Sequence, residues 1–169
     1  MTGEKRYGKY RGMVQDNADT DKRGRIKVSV PTVMGDGGSN WALPCVPYAG
    51  DGVGFFAIPP VGANVWVEFE GGDPGRPIWT GCFWDGDQTP VGSDYTVDKK
   101  VLKTEAGIIT IDEGSDSAGI TIVTRDGSGN DKMKIIVNND GIEIDNGQGA
   151  SIKLENGKVS INGTALEVE

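Results

Sequence analysis

Apolar and polar positions alternate in two distinct textures along this chain. In NVWVEFE, Val65, Val67 and Phe69 fall on one side and Trp66 and Glu68 on the other, which is the period of a half-buried strand. GRIKVSVP repeats the pattern with Ile26, Val28 and Val30. Together with YRGMVQDN, across the polar stretch ADTDKRG, it predicts a hairpin with a long first turn. NWALPCVPYAG is apolar but carries Pro44 and Pro47, so it belongs at a sheet edge or where a strand bends round a barrel. GVGFFAIPP reads as a short strand ended by two prolines, and PIWTGCFW as the return strand after the turn GGDPGRP. About five strands without a credible helix predict a small closed barrel of OB type.

The second texture is a run of apolar-x-apolar triplets starting at residues 109, 120, 135, 142, 152, 159 and 166. Their spacing leaves room for strands of about five residues joined by short turns such as NNDG, DNGQG, ENG and NG. A meander or a solenoid is implied. The two textures meet near TPVGSDYTVDKK. The chain therefore divides into a barrel over 1–90, a linker over 91–104 and a repeat region over 105–169. Each triplet offers only two apolar side chains to a core, and a single sheet of such strands could not offset the loss of about 1–2 kcal/mol of backbone entropy per residue. With no helix to cover it, the simplest cover is another copy of the same sheet. Three copies round an axis would make a prism with Ile, Val and Leu inside, although the number three does not follow from the repeat alone.

Composition supports an all-β chain. Gly accounts for 27 of 169 residues, roughly twice the usual share, without the every-third period of collagen. The 17 basic and 25 acidic side chains give a net charge of −8, the wrong sign for a general phosphate-backbone binder. Residues 101–169 hold 6 basic and 12 acidic side chains, so the acidity is mostly distal. There is no His, which removes Ser-His-Asp triads, Cys-His pairs and His-ligated metals. Cys45 and Cys82 lack metal-ligand spacing and read as buried reduced thiols, with a disulfide between them left open. No run of about 20 apolar residues is present to span a bilayer. MTGEKRYGKYRG lacks a secretory h-region, so synthesis in the cytoplasm is expected.

The order YRGMVQDN, DTDKRGRIKVSVP, NWALPCVPYAG and PPVGANVWVEFEGGDPGRPIWTG resembles the OB-fold domain of the central spike proteins of contractile injection machines. These are the baseplate assembly protein V and spike proteins of contractile-tailed phages, and VgrG of type VI secretion systems. The likeness covers residues 8–84, and the PxVGxxVxVxFExGDPxxPxxxG pattern is its most specific part. The repeat after it resembles, less specifically, that family's triple-stranded β-helix. The resemblance implies a non-enzymatic homotrimer assembled in the cytoplasm as part of a phage tail or tail-like particle. Its OB end would bind a hub and baseplate, and sheath contraction would drive its β-helix needle through a target cell envelope. No lysozyme domain fits between barrel and repeat, so built-in peptidoglycan hydrolysis is not expected. No hub-like domain precedes the barrel, so a separate hub is expected. A His-containing iron-binding tip cannot form, so a PAAR-like tip protein is expected to cap TALEVE.

The residues expected to form the trimer core are Ile109, Ile111, Ile120, Ile122, Ile142, Ile144, Ile152, Leu154, Val159, Ile161, Leu166 and Val168. No catalytic, cofactor or metal residues are expected. NVWVEFEGGDPGRP lacks a GxxxxGK[ST] pattern and reads as a hairpin, not a phosphate cradle. Asp112, Glu113 and Asp116, or Asp126 and Asp131, lack EF-hand spacing and read as turn residues. The alternative to a spike is a monomeric OB module that binds single-stranded nucleic acid, using Arg23, Arg25 and Lys27 with Trp41, Trp66, Trp79 or Trp84. A carbohydrate-cleaving solenoid would need a cleft with paired carboxylates, for which these short rungs give no reason.

Overall fold

The structure is a computed structural model and describes residues 4–114, 118–163 and 165–168. It divides into two compact units, residues 1–87 and 88–169. In the first, β1 (Tyr10–Asp16), β2 (Ile26–Ser29), β3 (Asn40–Pro44), β6 (Asn64–Phe69) and β7 (Pro77–Cys82) close a barrel in the order β1-β2-β3-β7-β6. All neighbours are antiparallel except β3 and β7, which run parallel. Closure leaves no free strand edge, and it resolves the Pro44 question in favour of the bend: the proline ends β3, where the chain leaves the barrel.

The alternation read from the sequence is the alternation of burial. Ile26, Val28, Val30, Val65 and Val67 are fully buried and pack with Val14, Ala42, Phe69 and Trp79. Each such aliphatic side chain contributes about 1.5–3 kcal/mol by leaving water. Tyr10 meets Phe69 edge to face at 5.4 Å. The Trp79 indole donates to the Gly24 carbonyl at 3.2 Å, so the one polar atom of that buried ring is satisfied. Gly12 is required by close packing: an added Cβ would lie 3.0 Å from both the Ser29 carbonyl and a Val67 methyl. Thr80 is an extra residue on β7 opposite Trp66 and Val67, a bulge of the kind that curves a strand to close a barrel.

The long turn between β1 and β2 is organised by one carboxylate. Asp19 accepts the backbone N–H groups of Asp21, Arg23 and Arg25 at 3.1, 2.8 and 3.2 Å, and the Arg25 guanidinium at 2.6 Å. The Arg25 guanidinium, aided by these amides, holds the Asp19 carboxyl far below the ordinary carboxylate range.

Three expectations for this unit are corrected. A one-turn helix, α1 (Pro31–Met34), follows β2; four residues with Pro at the first position are too few to show a helical period. GVGFFAIPP adds no barrel strand. Only β5 (Val53–Gly54) forms there, paired with β4 (Ala49–Gly50) as a separate hairpin. Cys45 and Cys82 are free thiols but exposed, because both stand at strand ends where alternation has stopped.

The second unit is one antiparallel sheet of eight strands. They are β8 (Lys99–Lys103), β9 (Gly107–Asp112), β10 (Gly119–Arg125), β11 (Asp131–Asn138), β12 (Gly141–Asp145), β13 (Ser151–Glu155), β14 (Lys158–Ile161) and β15 (Leu166–Val168), in that spatial order. Every strand neighbours the next in sequence, which makes a meander of the single chain, not a solenoid. The stretch 91–104, read as a linker, supplies the first strand.

The Asp19 clamp generates a pH prediction. A carboxyl depressed on folding stabilises the barrel above its unfolded value of about 4, and that stability is lost as pH falls through the folded value. The melting temperature of the full chain should therefore decline below about pH 4. Asp19→Asn should melt lower than wild type at pH 7 and show a flatter acid decline; equal curves would refute the clamp.

Candidate assembly interface

The register of the second unit places apolar residues in rows. Ile109, Ile122, Ile135, Ile144, Ile152, Ile161 and Leu166 lie opposite one another across successive strands, with Leu102 extending the row onto β8. Ile111, Ile120, Val137, Ile142, Leu154, Val159 and Val168 make a second register row beside it. Period two puts both rows on one face. That face is uncovered. Exposure runs from 36 % at Ile161 to 45 % at Ile144 for the interior strands, and Leu166 reaches 52 %. Soluble surfaces rarely carry contiguous apolar patches of this extent without a partner. A shallow apolar concavity of about 450 Å³ lies over Ile122, Met133, Ile135, Ile144, Ile152 and Ile161.

The opposite face is polar along its centre, with Thr110, Thr121, Ile136, Glu143, Lys153 and Ser160 in register. Glu143 bridges Lys134 at 3.2 Å and Lys153 at 3.3 Å. Partial burial pushes the Glu143 carboxyl up, but the two ammonium groups outweigh it and hold the group below its ordinary value. This face is mixed, since Val101, Ile108, Val123 and Ile136 also lie on it, but only the other face carries two apolar rows that run from β9 across the sheet.

The structure brings together on this face all the expected core residues whose side chains are described; for Val168 only the strand position is described. It adds Ile135, Val137, Leu102 and Met133, which the expected core omitted. Ile135 and Val137 belong to a triplet of the repeat read from the sequence, with the apolar Ile136 between them on the opposite face. Leu102 sits within KKVLK, whose lysines read as a charged linker.

Turns are closed by Asx side chains. Asp126 accepts the Asn130 and Ser128 N–H groups at 2.9 Å each and the Lys132 ammonium at 3.2 Å, which lowers its carboxyl to about 2, the Asn130 amide contributing most. Asn146 accepts from Gln148 and Ala150, and Asn162 from Ser151. Asp131 faces Arg125 at 3.5 Å, and Glu113 pairs with Lys100. Asp116 lies outside the described residues. Among the described residues no group of three or more His, Cys, Asp or Glu is placed to hold a metal.

Of the residues expected to stack on or pair with a nucleic acid, Arg25, Trp41, Trp66 and Trp79 are engaged with protein, whereas Trp84 and Arg23 are exposed. Arg11 stacks over Trp66 and Phe83, whose rings lie 4.7 Å apart. Arg25 bridges Asp19 and Asp21 and covers Trp41, and Trp79 is in the core.

A closed OB-type barrel joined in one chain to a sheet with an uncovered apolar face defines an assembly component, and comparison with known proteins specifies which. Residues 10–84 match the type VI secretion system/phage-baseplate injector OB domain. Residues 99–167 match the phage baseplate V C-terminal trimerisation domain. The chain belongs to this baseplate V and VgrG-like family. It is 38 % identical over 93 residues to the actin cross-linking toxin VgrG1 of Vibrio cholerae serotype O1, a stretch that is 50 % of this chain and 8 % of that protein. It is 37 % identical over 90 residues to the type VI secretion system spike protein VgrG3 of the same species, 50 % of this chain and 9 % of that protein. The chain thus spans less than a tenth of either relative's length, and the toxin named in the first is said of that protein. Family membership supports a structural, spike-type role in secretion or baseplate machinery, and the trimerisation domain supports a homotrimer.

Close strand packing gives a mutational test. An added Cβ on Gly119 would lie 2.2 Å from the Val137 carbonyl, whereas Gly127 has nothing within 4 Å. Gly119→Ala should destabilise the full chain by on the order of 2 kcal/mol or more in urea unfolding, and Gly127→Ala by less than about 0.5 kcal/mol. Equal midpoints would refute the register.

Proposed function

We propose that this chain is the structural central spike of a contractile tail or injection machine. Three copies share one needle, with Ile109, Ile111, Ile120, Ile122, Ile142, Ile144, Ile152, Leu154, Val159, Ile161, Leu166 and Val168 in the common core. The observation that carries the reading is the pair of in-register apolar rows left uncovered within the segment that matches a trimerisation domain. Wrapped round a common axis, three such sheets bury those rows, turn the Glu143–Lys153 face outward and form an intertwined β-helix. Its backbone groups are then paired along or around the shaft, with no lateral edge to peel. Such a shaft acts by stiffness, not by chemistry.

In this reading the barrel attaches the trimer to a hub and baseplate. A separate PAAR-like protein tips the other end, and sheath contraction drives the assembly through the target envelope. The chain is made in the cytoplasm and works as part of a phage-tail-like particle.

The native mass of the purified chain tests this. Light scattering should give a species near three times 17.9 kDa, and an unheated detergent gel should retain it. Ile144→Asp places three carboxylates in an apolar core, each costing several kcal/mol, and should abolish that species. Thr121→Asp, on the polar face, should leave it. A wild-type monomer, or a heat-resistant trimer of Ile144→Asp, would overturn the shared core.

A further inference from the structure

After Val46, which still packs against the core, the chain builds the hairpin β4–β5 and returns to the core at Ile58. The hairpin is held by two residue pairs and by the Phe55 N–H, which donates to the Tyr48 carbonyl at 2.9 Å. Between it and the turn at Lys22 and Arg23 runs a groove of about 490 Å³. Tyr48, Phe55 and Phe56 line it and stay 59, 53 and 76 % exposed. Three large aromatic side chains left in water on nine residues are more than scattered surface apolar positions. The hairpin takes no part in closing the barrel, so barrel stability gives no reason for them.

Charge selects what the groove would hold. Its only charged lining residues among those described are Lys22 and Arg23, in a chain with 25 acidic and 17 basic side chains. The neighbouring carboxylates Asp19 and Asp21 are taken by Arg25 at 2.6 Å each. Three basic side chains, Lys22, Arg23 and Arg25, against two carboxylates leave this turn a net charge of +1 at the groove mouth, and among the described residues no ion pair engages Lys22 or Arg23. Lys22 also stands at φ 55°, a left-handed conformation that favours glycine. It is held there by its N–H bond to the Asp19 carbonyl at 3.0 Å. A lysine kept in that conformation beside an apolar groove fits a site that uses its charge.

We propose that this groove docks a segment of a partner protein consisting of an apolar or aromatic anchor flanked by carboxylates. The anchor would stack among Tyr48, Phe55 and Phe56, and the carboxylates would meet Lys22 and Arg23, the usual division between a buried hot spot and a charged rim. This goes beyond the spike reading and rests on the barrel unit alone. A second copy of this chain and a single-stranded nucleic acid are the rival occupants.

The test uses the full chain and three fluorescein-labelled probes in anisotropy titrations: the peptide Asp-Glu-Leu-Phe-Asp-Glu, its counterpart Lys-Lys-Leu-Phe-Lys-Lys, and an oligothymidine. The acidic peptide should bind, and should weaken about tenfold or more in Arg23→Glu, in Phe56→Ala, and on raising salt to physiological strength. Both substituted side chains are exposed, and a thermal melt with native mass confirms that each variant folds and assembles as wild type does. Absence of acidic-peptide binding, equal binding of the lysine peptide, or wild-type affinity in both variants overturns the proposal. Tighter binding of oligothymidine overturns it in favour of nucleic acid. A smaller native mass in Phe56→Ala overturns it in favour of a second copy. The wild-type mass reports on the spike reading separately, so the two can fail independently.

Discussion

The constraint on which this structure depends is that a β-sheet has two faces and strand alternation assigns residues to both. An apolar face must then be covered. The barrel unit covers its own by closing: five strands curl until Val28, Val65 and Val67 meet other side chains and leave water entirely. The eight-stranded sheet has the same alternation and does not close. Ile120, Ile144 and their row neighbours retain around two-fifths of their surface. Since burial of a whole aliphatic side chain is worth about 1.5–3 kcal/mol, each half-exposed residue leaves on the order of 1 kcal/mol uncollected until another surface arrives.

What directs that surface to the face and not to the edges is the rest of the sheet's design. The outer strand β8 carries Lys99, Lys100 and Lys103, the sort of charge that discourages a further strand from adding to an edge. At the other end β15 is only three residues long. The polar face is charged and internally paired through Glu143. Association through the two apolar rows is the route these features leave open. The turns explain the glycine-rich composition. Asp126, Asn138, Asn146 and Asn162 satisfy backbone donors at reversals of the chain, and glycines at strand starts such as Gly119 allow a neighbouring carbonyl within a distance that any Cβ would forbid.

Much of this was legible in the sequence because period two is a strong signal where one side of a strand is charged. Val65-Trp66-Val67-Glu68-Phe69 and Ile142-Glu143-Ile144 needed nothing else. Legibility failed where local composition masked the pattern. KKVLK looks like a charged linker because its three lysines outnumber Val101 and Leu102, yet hydrogen bonding to β9 recruits it as a strand. The triplet at Ile135 and Val137 was legible as part of the repeat even though Ile136 between them is an apolar residue on the mostly polar face. The hairpin β4–β5 was overestimated because GVGFFAIPP is apolar without being buried. The thiols were misplaced because burial was inferred from neighbours in sequence, and strand ends break that link. The in-register rows themselves were not legible, since they depend on turn lengths that set the pairing of every strand.

The two ways of covering an apolar face also have different thermodynamics. A barrel that closes on itself has a stability independent of concentration. A sheet completed by other copies gains stability by mass action, so its apparent stability rises with the amount of chain present. Joining both in one polypeptide raises the local concentration of sheets once any two barrels are held together, which turns later association into a nearly intramolecular step. The basic, aromatic groove on the barrel would then do more than attach a partner. By gathering barrels at one site it would favour completion of the sheet at the place where the assembled shaft is needed.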